Sequence, residues 1–99
     1  MEERRYRESR LCRLLGNPVV YRIVLLLAQR GQQTPSRLAK MTGRSVPTIS
    51  GHLAKLRTAD VVRYETAGGR TRYWLKHLEE MKAVLRVLSR AVKVSTRLR

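Results

Sequence analysis

"GRSVPTISGHLAKLRTADVVRYETAGGRTRYWL" occupies residues 43–75 of the chain. Its first half has a helical period. Gly43 offers a turn and Ser45 an N-cap, so a helix is expected over about 46–58. The second half, "VVRYETAGGRTRYWL", switches to β-branched and aromatic residues on both sides of Ala67-Gly68-Gly69, the mark of a β-hairpin. Two features stand out. Gly51 sits in the middle of the helix, and Arg63, Arg70 and Arg72 crowd the hairpin.

Turned at about 100° per residue, the helix gathers Val46, Ile49, Leu53 and Leu56 on one side. Gly51 is the centre of the opposite side, with Pro47, Thr48, Lys55 and Thr58 around it. Ser50 and His52 flank the apolar stripe. An ordinary solvated face carries Glu–Lys pairs; this one is small and uncharged, with one lysine near its end. A glycine inside a helix costs about 1 kcal/mol relative to alanine. What it gives in return is close approach of the backbone to a partner, as when a DNA major groove admits one α-helix. The competing reading is that Gly51 is only tolerated. In the hairpin, Arg70 and Arg72 share one face of the second strand, and Tyr73 and Leu75 share the other.

Working outward, Thr34-Pro35 opens a short helix over about 35–42, with Leu38 and Met41 facing inward and Ala39 small enough for another helix to approach. That helix, Gly43 and the next helix form a helix-turn-helix over about 35–58. The hairpin, about 61–75, is its wing. Asn17-Pro18 opens "PVVYRIVLLLAQR", about 18–30, apolar nearly all round and so the expected buried centre. A first helix over about 2–15 ends in Leu11, Leu14 and Leu15. The last helix, about 77–94, carries Leu78, Met81, Leu85, Leu88 and Val92 at spacings of 3, 4, 3 and 4, a seam of the coiled-coil kind. The polar tail "STRLR" is expected to fray. The fold class is therefore mainly α (α+β): four helices, a two-stranded wing and a fifth helix in one domain, 1–99.

Lys and Arg number 22 against 7 Asp and Glu, a net charge of +15, and no acid lies between Glu8 and Asp60 while nine basic residues do. That imbalance points to a polyanion, foremost nucleic acid. A chain of 99 residues buries only about two-thirds of its unfolded surface, so its core is thin and dimerisation would help it. The single cysteine, Cys12, excludes a disulfide framework and fits reducing cytosol; it reads as a small packed hydrophobe rather than a redox switch. The N-terminus "MEERRYRESR" is charged rather than apolar, so no signal peptide is expected. The longest apolar run, residues 23–28, is too short to span a bilayer. There is no nucleophile–base–acid set, no glycine-rich phosphate loop and few carboxylates, so the chain is not expected to be an enzyme or to carry a cofactor.

"LGNPVVYRIVLLL", "TGRSVPTISGHLAKLRTADVV" and "AGGRTRYWL" together resemble the ArsR/SmtB family of winged-helix repressors, over about residues 14–75. The resemblance implies a homodimer joined through first and last helices, with two recognition helices in successive major grooves. It places Thr48, Ser50 and His52 where the family contacts DNA, and Arg70 and Arg72 in its wing. The sequence departs from the family in several places. Arg44 and Val46 stand where a hydrophobic and a polar residue are usual. Gly51 replaces a larger polar or basic residue, and Asp60 replaces the glycine that ends the helix. The family's cysteine pair is absent. His77, Glu79 and Glu80 open the last helix but no second histidine follows, so no metal site is expected.

These readings converge on a sequence-specific, dimeric DNA-binding regulator acting as a repressor in the cytoplasm, on the nucleoid, with no membrane partner. Its expected DNA-binding residues are Arg37, Lys40, Arg44, Pro47, Thr48, Ser50, Gly51, His52, Lys55, Arg63, Arg70 and Arg72. Its expected dimer contacts are Leu11, Leu78, Met81, Leu85, Leu88 and Val92. The alternatives are a DNA-coating protein of low specificity and a winged helix that binds RNA or protein. No residue pattern identifies an effector.

Overall fold

Proline-led caps start three of the helices. Asn17 Oδ1 accepts from the N–H groups of Val19 and Val20 at 2.9 and 3.2 Å, Thr34 Oγ1 from that of Arg37 at 3.2 Å, and Ser45 Oγ from that of Thr48 at 3.3 Å. Each cap satisfies donors the helix cannot, worth about 1 kcal/mol. A computed structural model, which describes residues 2–97, places α1 at Glu3–Leu15, α2 at Pro18–Arg30, α3 at Pro35–Thr42, α4 at Val46–Thr58, β1 at Val62–Ala67, β2 at Arg70–Leu75 and α5 at Leu78–Arg97. This is a winged helix-turn-helix flanked by two further helices.

The expected centre is the observed one. Val20, Ile23, Val24, Leu26 and Leu27 of α2 are buried, and Leu38, Ala39, Ile49, Leu53, Leu56, Val61, Val62 and Leu75 close around them. Between α3 and α4, Gly43 takes a left-handed φ of 70°. This lets the N–H of Arg44 reach back to Ala39 O at 3.1 Å and turn the chain sharply. At the hairpin tip Gly68 and Gly69 both have positive φ, 60° and 76°, as a two-residue turn matched to strand twist requires.

The antiparallel register pairs Val62 with Leu75, Arg63 with Trp74, Tyr64 with Tyr73, Glu65 with Arg72 and Ala67 with Arg70. A further bond, Lys76 N–H to Val61 O at 3.0 Å, extends the pairing by one residue. The loop before α3 also joins the sheet. Gln33 and Tyr73 exchange backbone hydrogen bonds of 3.0 and 2.8 Å, so β2 lies between β1 and a one-residue third strand.

Four expectations need correction. Val46 is 42% exposed, not part of the core stripe: it is the first residue of α4, and burial along the stripe begins only at Ile49. Cys12 is exposed rather than packed, on a helix with no buried residue. The seam of α5 is not one surface: Met81 and Leu85 are 8% and 6% exposed, committed to the protomer's own core, whereas Leu78, Leu88 and Val92 are 39%, 40% and 66% exposed. Ser95 to Arg97 continue α5 instead of fraying, and residues 98 and 99 lie outside the described residues. Among the described residues no single helix is long and apolar enough to cross a membrane. α1 and α2 have the composition only as a pair bent by 96°, and α2 is the core helix.

Candidate nucleic-acid interface

α4 is held by its apolar stripe, with Ile49, Leu53 and Leu56 fully buried. Arg44, Val46, Pro47, Thr48, Ser50, Gly51, Lys55 and Thr58 are all exposed. A Cβ built on Gly51 would meet no atom within 4 Å, so the glycine answers no crowding inside the protein. Ser45 Oγ donates to Thr48 Oγ1 at 2.9 Å, fixing the hydroxyl at the leading end of this face. His52 is half-buried on one flank.

The wing stands on the other flank. Arg57 lies over the Tyr64 ring at 5.1 Å, and Tyr64 stacks on Tyr73 at 5.5 Å. These ring contacts tie the outer side of α4 to both strands. Arg63, Arg70 and Arg72 are exposed. The register puts them on one face of the hairpin, together with Glu65 and Trp74. Among the described residues none of Arg44, Lys55, Arg63, Arg70 and Arg72 has an ion-pair partner, and Glu65 makes none with Arg72 across from it. Cations without partners remain available to phosphate oxygens.

Arg37 and Lys40 are exposed on α3, the supporting helix. Arg37 Nε donates to the side-chain oxygen of Gln33 at 3.3 Å, which couples it to the residue that bridges to the wing. The whole predicted set thus divides into a central α4 face, the wing cations, and a less direct pair on α3. Arg57, Tyr64 and Gln33 stand outside that set. The cation–ring contact joins two different elements and the Gln33 bridge joins residues far apart in sequence, so neither follows from a local periodicity.

The exit of α4 is set by Asp60, which holds φ 65°. Aspartate tolerates this left-handed backbone better than most residues, and the carboxylate has a second task. Lys76 Nζ donates to both its oxygens at 2.8 Å. That hydrogen bond, with the charges of Lys76, His77 and Arg7, outweighs burial and holds the Asp60 carboxyl below the usual aspartate range. The pair ties the exit of α4 to the short link between β2 and α5.

The fold resembles solved structures of bacterial proteins, transcriptional regulators among them. The cadmium metal-sensor CMTR from Mycobacterium tuberculosis is 32% identical, with 77% of this chain and 78% of that one covered, at a TM-score of 0.64. Rv0081 from the same organism is 27% identical over the whole of both chains at a TM-score of 0.79. The transcriptional repressor BigR from Xylella fastidiosa is 25% identical over 90% of each at 0.75. No curated protein sequence matches the chain. The fold and its exposed cationic face define a winged helix-turn-helix DNA-binding protein. Residues 17–64 match the family described as bacterial regulatory protein, arsR family, and the chain belongs to that family, as a DNA-binding transcriptional regulator rather than an enzyme.

Proposed function

We propose that the protein is a homodimeric, sequence-specific repressor that acts on nucleoid DNA in the cytoplasm without sensing a metal. The observation that carries this reading is the α4 surface: Pro47, Thr48, Ser50 and Gly51 are exposed together, with no Cβ at the centre. α4 enters the major groove and reads base edges with Thr48, Ser50 and His52. Arg44, Lys55, Arg63, Arg70 and Arg72 hold phosphates, and Arg37 and Lys40 add positive charge behind them. Val46 is exposed at the leading end of α4, and its methyl groups suit contact with a thymine methyl.

Dimerisation is supported by the distribution of exposed apolar side chains. Of the eight large exposed hydrophobic residues among those described, five lie on α5: Leu78, Val87, Leu88, Val92 and Val94. Leu11 is half-buried on α1 and lines the groove against α5 with Met81 and Val84. Leu78, Leu88 and Val92 therefore remain dimer contacts in this proposal, while Met81 and Leu85 support them from within the protomer. The metal-independent reading rests on ligand supply. Among the described residues no three His, Cys, Asp or Glu side chains gather as a metal site needs.

The bare reading face also favours the second reading, a DNA coat of low specificity, since few side chains there offer base contacts. Footprinting on duplex DNA separates the two. A discrete protected palindrome that is indifferent to zinc, cadmium and chelators supports the repressor. Uniform protection supports the coat, and loss of protection with metal contradicts the metal-independent reading.

A further inference from the structure

A hollow of about 390 Å³ lies on the flank of α4 away from the wing, lined by Arg10, Arg13, Leu14, Asn17, Val20, His52 and Lys55. Its floor is apolar: Val20 is buried and Leu14 half-buried. Its polar lining comes from three places in the chain. Arg10 and Arg13 descend from α1, Asn17 caps α2, and His52 and Lys55 come from α4. No carboxylate lines it, whereas Glu3, Glu8, Asp60 and Glu80, four of the chain's seven acids, line the larger groove between α1 and α5. Among the described residues Arg10, Arg13 and Lys55 have no ion-pair partner. Cations that converge without a counter-charge repel one another, and Arg10 is half-buried besides. An anion relieves both costs. Asn17 spends its side-chain oxygen on the cap of α2, which leaves its amide N–H groups as donors.

Position narrows the choice of anion. With Gly51 at the centre of the exposed face, His52 lies about 100° to one side and Arg57 about 120° to the other. Arg57 carries the wing through Tyr64. The hollow is therefore the wing's counterpart across the helix. A helix in a major groove has a sugar–phosphate backbone along each side.

We propose that this hollow is a second phosphate-binding site, with Arg10 and Arg13 of α1 holding a backbone phosphate of the DNA strand opposite the one the wing holds. The proposal rests on α4 being the recognition helix. It makes α1 a DNA-contacting helix as well as a dimerisation helix, and gives each protomer a grip on both strands.

The test combines the double variant Arg10→Gln/Arg13→Gln with duplexes in which single phosphates are replaced by neutral methylphosphonates. The double variant is at least as thermally stable as the wild type and keeps its base preference, binds about tenfold more weakly, and flattens the log–log salt slope by about 0.9 for each phosphate no longer neutralised. One methylphosphonate position per half-site weakens the wild type but not the double variant. Arg10→Lys/Arg13→Lys, which keeps the charge, retains most of the slope. Arg70→Ala/Arg72→Ala serves as the reference. If it weakens binding while Arg10→Gln/Arg13→Gln has wild-type affinity and slope, the second site is wrong and the recognition-helix reading stands. If neither pair alters binding, the phosphate contacts proposed on both sides of α4 are wrong. Orthophosphate that binds the free wild-type protein but not the double variant, with every methylphosphonate effect retained, assigns the hollow to a free anion and overturns the proposal.

Discussion

Open space around Gly51 separates stability from recognition at a single residue. Gly51→Ala is expected to stabilise the fold by about 1 kcal/mol, or about 4–8 °C in a domain of this size. Gly51→Leu keeps the fold but strikes the DNA, so it loses preference for the selected site while binding through phosphates persists. Thermal unfolding and anisotropy on specific and random duplexes measure the two properties. Equal affinity of Gly51→Leu and wild type for the selected site would mean that the glycine is only tolerated. Asp60 makes a second prediction. Its carboxyl is held below the ordinary range when folded, so its contribution is complete above about pH 4 and is lost as pH falls through the folded-state value. Asp60→Asn keeps a residue that tolerates left-handed backbone but weakens the bond to Lys76. Its melting temperature is lower than wild type at neutral pH, and the difference closes in acid. A constant difference across pH would assign the effect to the backbone instead. The sequence makes the capping residues and the left-handed tolerance of Asp60 readable, because both act locally. It hides Lys76 as partner, and it misplaces Val46, since angular position on a helix does not reveal where along the helix the core cover begins.

At the scale of elements, the wing and α5 behave differently. Arg70→Ala and Arg72→Ala are expected to weaken all duplexes alike, and each flattens the salt slope by about 0.9 if it neutralises one phosphate. A shifted base preference at unchanged slope would show that the wing reads bases. The hairpin is legible from its alternation and its Gly-Gly tip, while its anchorage through Gln33, Arg57 and Tyr64 is not. α5 shows the opposite pattern. Its apolar spacing is plain, but spacing cannot tell a residue used inside the protomer from one offered to a partner. Leu85→Lys would enter the protomer core and unfold it, so it cannot test assembly. Val87→Lys with Leu88→Lys, at positions 65% and 40% exposed, is expected to keep the fold, yield monomers and lose tight DNA binding. Light scattering and circular dichroism check this. A double variant that remains dimeric would place the interface elsewhere.

Across the whole molecule, charge is sorted by face. The net +15 is carried by a chain whose stretch from α1 to the end of α4 contains no acid beyond Glu8, while most of the carboxylates gather near the junction of α1 and α5. This segregation is readable in the sequence as a gap between Glu8 and Asp60. The convergence of Arg10 and Arg13 on α4 is not, because it depends on how α1 packs across α2. Under the proposed function, the same arrangement would let one surface bind any DNA by its phosphates and leave sequence choice to a small patch of α4. Selection of bound duplexes from a random pool, with the full-length protein near physiological salt, tests that division most directly. The account predicts enrichment of an inverted repeat with half-site centres one helical turn apart, about 10–10.5 bp, or a multiple of it. A bound pool with the same sequence composition as the starting pool would contradict it.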